Sequence, residues 1–182
     1  MKKINNIFIP IFFISIGLSV VTGTAVLAQP YGAGKYDANI PYGGQTYLSI
    51  SAANISIAAT ASNSGQLSTA AGNVIVTSTD AVGYQLYVSA ASSTNLTTTG
   101  AVIPASGNST AAALTTNTWG YNTDASTNFL GMTATNALIK SFTGPTTAGD
   151  TTTVTYGLKL DFSKKAASYT TTILYTAVPQ TT

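Results

Sequence analysis

The chain is 182 residues long, with seven lysines, five aspartates and no histidine, cysteine, arginine or glutamate. Those absences remove the side chain that most often moves protons near neutral pH, the thiolate nucleophile, the bidentate phosphate clamp and most zinc ligands. Beyond residue 28 the charges are Lys35, Lys140, Lys159, Lys164 and Lys165 against Asp37, Asp80, Asp124, Asp150 and Asp161, five minus five, so this part is neutral and carries no electrostatic footprint for nucleic acid or anionic lipid.

Residues 1–28 have the pattern of a secretory signal peptide: Lys2 and Lys3, the apolar run "IFIPIFFISIGLSVV" at 7–21, and Val26-Leu27-Ala28 with small residues at the −3 and −1 positions. Cleavage is predicted after Ala28, before Gln29, and export to the outside of the cell follows. The rival is an uncleaved anchor, because the uncharged stretch between Lys3 and Lys35 exceeds the ~20 residues that span a bilayer; contact with membrane is expected only in that case. Pro10 and the Val-Leu-Ala ending favour cleavage. Without cysteine the mature chain has neither a disulfide nor a lipidated thiol, so packing and sheet hydrogen bonds must hold it together.

Residues 29–46, beginning "QPYGAGKYDANIPYGGQ", are rich in Gly, Pro and Tyr and read as an extended arm. From residue 47 the period becomes two. "NISIA" sets Ile55 and Ile57 on one face, "NVIVTST" continues β-branched from Val74 to Thr79, and "YQLYVSA" sets Tyr84, Leu86 and Val88 against Gln85, Tyr87 and Ser89. "ALIKSF" at 137–142 predicts a further strand. In "TVTYGLKLDF", Val154, Tyr156, Leu158, Leu160 and Phe162 alternate with Thr153, Thr155, Gly157, Lys159 and Asp161, which predicts a strand with one buried and one wet face. "SYTTTILYTAVP" at 168–179 predicts the last strand. Turn chemistry separates these runs at 62–65, 80–83, 105–109, 144–150 and 163–168, and "TAAAL" at 110–114 has room for one helical turn. Many short strands with no amphipathic helix imply an all-β fold: a single antiparallel β-sandwich, Ig-like or jelly-roll-like, over residues 47–182.

The stretches "VIVTSTDAVGYQLYVSA", "IPASGNSTAAALTTNTWGYNTD" and "GDTTTVTYGLKLDFSKKAASYTTTILYTAVP" together resemble secreted surface modules of reduced-genome candidate-phyla bacteria and, more distantly, the WxL surface domain of Gram-positive bacteria. The mid-domain motif stands here as Trp119-Gly120-Tyr121, and the closing one as Tyr175-Thr176-Ala177 before Pro179, so neither is Trp-x-Leu. The resemblance implies a non-catalytic exported protein held non-covalently at the cell wall.

Trp119 is the only tryptophan. In a small β-domain it is expected to plug the core with its indole N–H on a backbone carbonyl, and Tyr121 would share its face. The functional alternative is a glycan- or partner-binding site in which Trp119 and Tyr121 stack on a sugar while Asn117 and Asn122 bond its hydroxyls. Asn122 and Asp124, with Asp80 or Asp150, are too few carboxylates for a calcium site, so no metal or cofactor is expected. "GAGK" at 32–35 lacks the rest of a phosphate loop, and no nucleophile elbow or Ser-x-x-Lys pair occurs, so the chain is not expected to be an enzyme. An intramolecular amide from Lys140 or Lys159 to an asparagine stays open. Tyr31, Tyr36, Tyr42 and Tyr47 either decorate a solvated tether or anchor the arm as a strand added to a neighbour. The expected partners are therefore cell-wall polysaccharide or a surface protein of another cell, with self-association through the arm as the alternative and no nucleic acid.

Overall fold

A computed structural model describes residues 11–18, 47–79 and 81–180, the first of these as backbone alone. The described residues form eleven strands and no helix: β1 (Ile11–Leu18), β2 (Tyr47–Ala52), β3 (Ile55–Thr60), β4 (Gln66–Thr79), β5 (Gly83–Ala90), β6 (Leu96–Thr98), β7 (Ala101–Ile103), β8 (Thr118–Asn122), β9 (Ala137–Thr143), β10 (Thr146–Leu160) and β11 (Thr172–Gln180). Two sheets face one another, a four-stranded one ordered β2-β4-β10-β8 and a five-stranded one ordered β3-β1-β11-β5-β9, with β6-β7 as a small extra hairpin. The all-β sandwich expected from the period-two runs is the fold. All its strand pairs are antiparallel except β1 with β11, which is parallel.

The frame of the four-stranded sheet is the long β4–β10 ladder, in register from Asp150↔Val76 to Leu160↔Gln66. Alternation along β10 turns Thr152, Val154, Tyr156, Leu158 and Leu160 inward and leaves Thr151 and Thr153 exposed. Ladder geometry explains two departures from the sequence reading. Residues 146–150, expected as turn, belong to β10, and a register shift between Thr146 and Asp150 takes up the irregularity. Phe162 lies beyond the end of β10 and is 54% exposed, so the apolar alternation overshoots the buried face by one residue pair. The 110–114 segment forms no helical turn; Ala112 bridges Phe129 instead.

β2 and β3 run one after the other along β4. Ala52 pairs with Val74, Ile55 lies against Gly72, and Thr60 N donates to Ser68 Oγ at 3.3 Å, so the partner numbers along β4 keep descending. At Ala53–Asn54 the chain steps from one layer to the other: β2 is laddered to β4, whereas β3 is laddered to β1.

The core lies between the sheets, with Val74, Val76, Val154 and Leu158 from one layer and Tyr84, Leu86, Val88 and Ile173 from the other. Tyr156 of β10 and Tyr175 of β11 meet across it, hydroxyl to hydroxyl at 2.6 Å. Burial pushes both phenols up, Tyr175 to about 12 even though the Tyr156 bond pulls the other way. This bond ties the layers through polar atoms that have lost water. Tyr175→Phe or Tyr156→Phe alone strands the remaining hydroxyl and should cost about 1–3 kcal/mol. The double Phe variant should recover much of that loss, which a urea double-mutant cycle measures.

Candidate functional site

The Trp119 motif sits on β8, whose residues Thr118–Asn122 pair with β10 from Lys159 to Thr155. Trp119 is 1% exposed and Tyr121 3%. The indole N–H donates to Thr94 O at 3.0 Å, and the ring lies 6.3 Å from that of Tyr156. Burial raises the Tyr121 phenol. Neither ring has a face open to a sugar, so stacking on this pair is not available in this conformation.

Gly120, between them, points to the other side of the sheet, where a Cβ would meet Leu130 O; at Gly157 a Cβ would meet the Phe129 ring. Phe129 is fully buried on this outer side, under the loop between β7 and β8 and the segment that follows β8. Asn108 Nδ2 holds that cover by donating to Ala112 O at 3.0 Å and Phe129 O at 3.1 Å. β8 is thus sealed on both faces.

The two asparagines of the motif serve the backbone. Asn117 takes a left-handed conformation, φ 64°, which asparagine tolerates. Its Oδ1 accepts from Asp161 N at 3.2 Å and its Nδ2 donates to Ser163 Oγ at 3.2 Å, joining two turns. Asn122 Nδ2 donates to Ser126 O and Asn128 O, both at 2.9 Å, while its buried Oδ1 has no partner. Asp124 Oδ1 accepts from Ser126 N, and the Ser126 bonds lower its carboxyl below the ordinary range. Asp150 lies far along β10 from this turn, Asp80 is outside the described residues, and no cluster of three acidic ligands occurs among the described residues. The arm tyrosines Tyr31, Tyr36 and Tyr42 also fall outside them, whereas Tyr47 opens β2 and is 54% exposed.

Three features escaped the sequence reading. The first is a charged cluster: Lys140 Nζ donates to Asp150 Oδ1 at 2.7 Å and to Thr151 O at 3.3 Å, and Tyr84 Oη donates to Asp150 Oδ2 at 2.6 Å. The Lys140 ammonium is thus engaged by an aspartate. Lys140, Tyr84 and Asp150 lie on three strands, and only the β5–β9 and β10 registers bring them together. The second is the outer face of β2, β4 and β10, where Ser51, Thr69, Asn73, Ile75, Thr151 and Thr153 are exposed. Thr153 Oγ1 donates to Asn73 Oδ1 at 2.9 Å, so part of this hydroxyl and amide surface is pre-ordered. A shallow groove between 51–53 and 71–73 borders it. The third is the strand lane that β1 occupies beside β3.

No family model, curated protein or solved structure matches this chain.

Desolvation alone would raise the Asp150 carboxyl, but the bonds from Lys140 and Tyr84 and the ammonium charge together hold it below its ordinary value. A lowered carboxyl contributes stability that is present above its unfolded pKa, about 3.9, and lost as pH falls through the folded value. Asp150→Asn should therefore unfold more readily in urea at pH 7 and lose less of its stability between pH 5 and 2 than the parent, as paired urea titrations at each pH would show.

Proposed function

We propose that this chain is an exported, non-catalytic β-sandwich that works at the cell surface by binding or display. Its leader pattern supports export, and the resemblance to WxL-type surface modules supports attachment to wall polysaccharide. The observation that carries the reading is the part of the outer face of β2, β4 and β10 around Ile75, a hydroxyl- and amide-bearing patch away from Lys159 at the far end of β10. Such a face suits a neutral hydroxylated polymer, whose hydroxyls can exchange water-mediated and direct hydrogen bonds with Thr, Ser and Asn. The buried Trp119 is then a structural plug, and contact belongs to the sheet face and its loops.

A self-assembling surface fibre subunit, joined through the N-terminal arm, is the second reading. The lane beside β3 favours it.

The binding reading is tested by co-sedimentation with isolated cell wall. The exported protein should pellet with wall, and Asn73→Asp with Thr153→Asp should weaken pelleting about tenfold or more, since the added charges desolvate poorly against a neutral polymer. Trp119 emission should stay blue and unchanged on binding. A protein that stays in the supernatant, or a double variant that pellets like the parent, would sink this assignment of the face.

A further inference from the structure

β3 has one strand neighbour among the described residues, and it is β1. Residues Ile11 to Ile16 pair antiparallel with β3 from Thr60 to Ile55, and Gly17 and Leu18 then run parallel to Thr172 and Ile173 of β11. β1 therefore fills a lane between β3 and the β11-β5-β9 part of the sheet. With β1 in place, Ile57 and Ala59 of β3 and Ile173 of β11 are 2%, 1% and 0% exposed. Yet β1 lies inside the leader, upstream of the cleavage expected before Gln29. Export with cleavage removes the strand and keeps the lane. An open lane unmakes the β3 ladder and gives water access to the core beneath it, which folded proteins avoid by pairing or covering such edges.

We propose that this lane is a strand-acceptor site, filled after export by residues 36–42 of the arm of a second copy of this chain; the proposal rests on the export reading above. Within the arm, "YDANIPY" alternates Tyr36, Ala38, Ile40 and Tyr42 with Asp37, Asn39 and Pro41. That is the half-apolar pattern a strand needs when one face looks into a core. With Tyr42 opposite Ile55, Pro41 stands opposite Ser56, short of the two positions through which β1 meets β11. A proline N facing the β11 side elsewhere has no ladder bond to lose.

Chain length argues against the same copy's arm. If Tyr42 stood opposite Ile55, as Ile16 does, it would lie level with Gly72 of β4, whereas Tyr47 pairs with Thr79. Those levels are seven residues apart along β4, roughly 23 Å at 3.3 Å per residue. The five steps from Tyr42 to Tyr47 reach at most about 18 Å. An arm that sets residues 36–42 in this register and in the direction of β1 must therefore come from another molecule. Strand addition of this kind combines main-chain bonds with side-chain pockets. It is a head-to-tail contact, which builds open filaments unless its rotation closes a ring.

The test expresses the full chain with its leader in an exporting host, reads the start of the released protein by intact mass, and follows its size by sedimentation. Because the chain has no cysteine, a trap can be added: Ala58→Cys on the exposed side of β3 in one preparation, and Asp37→Cys, Asn39→Cys or Pro41→Cys in another. The expected result is a protein beginning at Gln29 that forms concentration-dependent oligomers, and a disulfide-linked heterodimer when the two preparations are mixed. A stable monomer beginning at Gln29 would overturn the proposal while leaving export intact. So would oligomers that give no cross-link with any arm cysteine, or a cross-link found only within a chain carrying both cysteines. A released protein still beginning at Met1 would overturn export with cleavage and the proposal together.

Discussion

The backbone of Ile55–Thr60 is laddered to β1, and the place of β3 in the sandwich depends on that pairing. β3 stays beside β4 after Ala53–Asn54 but takes its ladder in the opposite layer, so it forms one corner of the fold. A corner strand of this kind contributes its inward side chains, Ile57 and Ala59, to the common core, but its place in the sheet is set by the strand beside it. The inner strands are tied more redundantly: β4 between β2 and β10, β10 between β4 and β8, and β5 between β9 and β11. The molecule is therefore a well-braced frame with one strand position whose occupant comes from the N-terminal segment.

The frame itself is built with few charges. Hydroxyls and amides carry out the work that ion pairs and disulfides do elsewhere. Asn117 joins two turns, Asn108 pins the cover over Phe129, and Tyr156 meets Tyr175 in the middle of the core. Each is a buried or half-buried polar group whose bonds replace those to water, so each specifies one arrangement of the chain around it. Glycine does the complementary job at Gly120 and Gly157, where the absence of a side chain lets Phe129 and Leu130 lie flat on the outside of the sheet.

Much of this was legible from residue spacing. The inward series of β10 and the Tyr84-Leu86-Val88 series of β5 are visible as period-two runs, because burial on one face selects alternate apolar residues. That Tyr121 shares the buried face of Trp119 followed from the same rule, and the indole N–H bond to a carbonyl from the need of a buried indole for an acceptor. What stayed hidden has a common cause. The first half of β4, "QLSTAAGN", has no apolar alternation, since it is held by its ladder to β10 and not by its own side chains. The Tyr84–Asp150–Lys140 cluster joins residues from three strands and has no local signature. The overlap of Ile11–Leu18 with a strand lane was masked by its leader composition, since an apolar β-branched run satisfies both a signal sequence and a buried strand.

In the proposed reading, export and assembly are connected through that overlap. Cleavage of the leader would remove the segment that fills the lane and leave the lane to another strand. The measurement that bears most directly on this account is amide hydrogen exchange at Ile55–Thr60 in the exported protein, compared with a variant lacking residues 29–46. The account predicts that loss of the arm makes β3 exchange rapidly while β4 and β10 remain protected. Equal protection of β3 in both proteins would contradict it, because the corner strand would then be held without any partner in the lane.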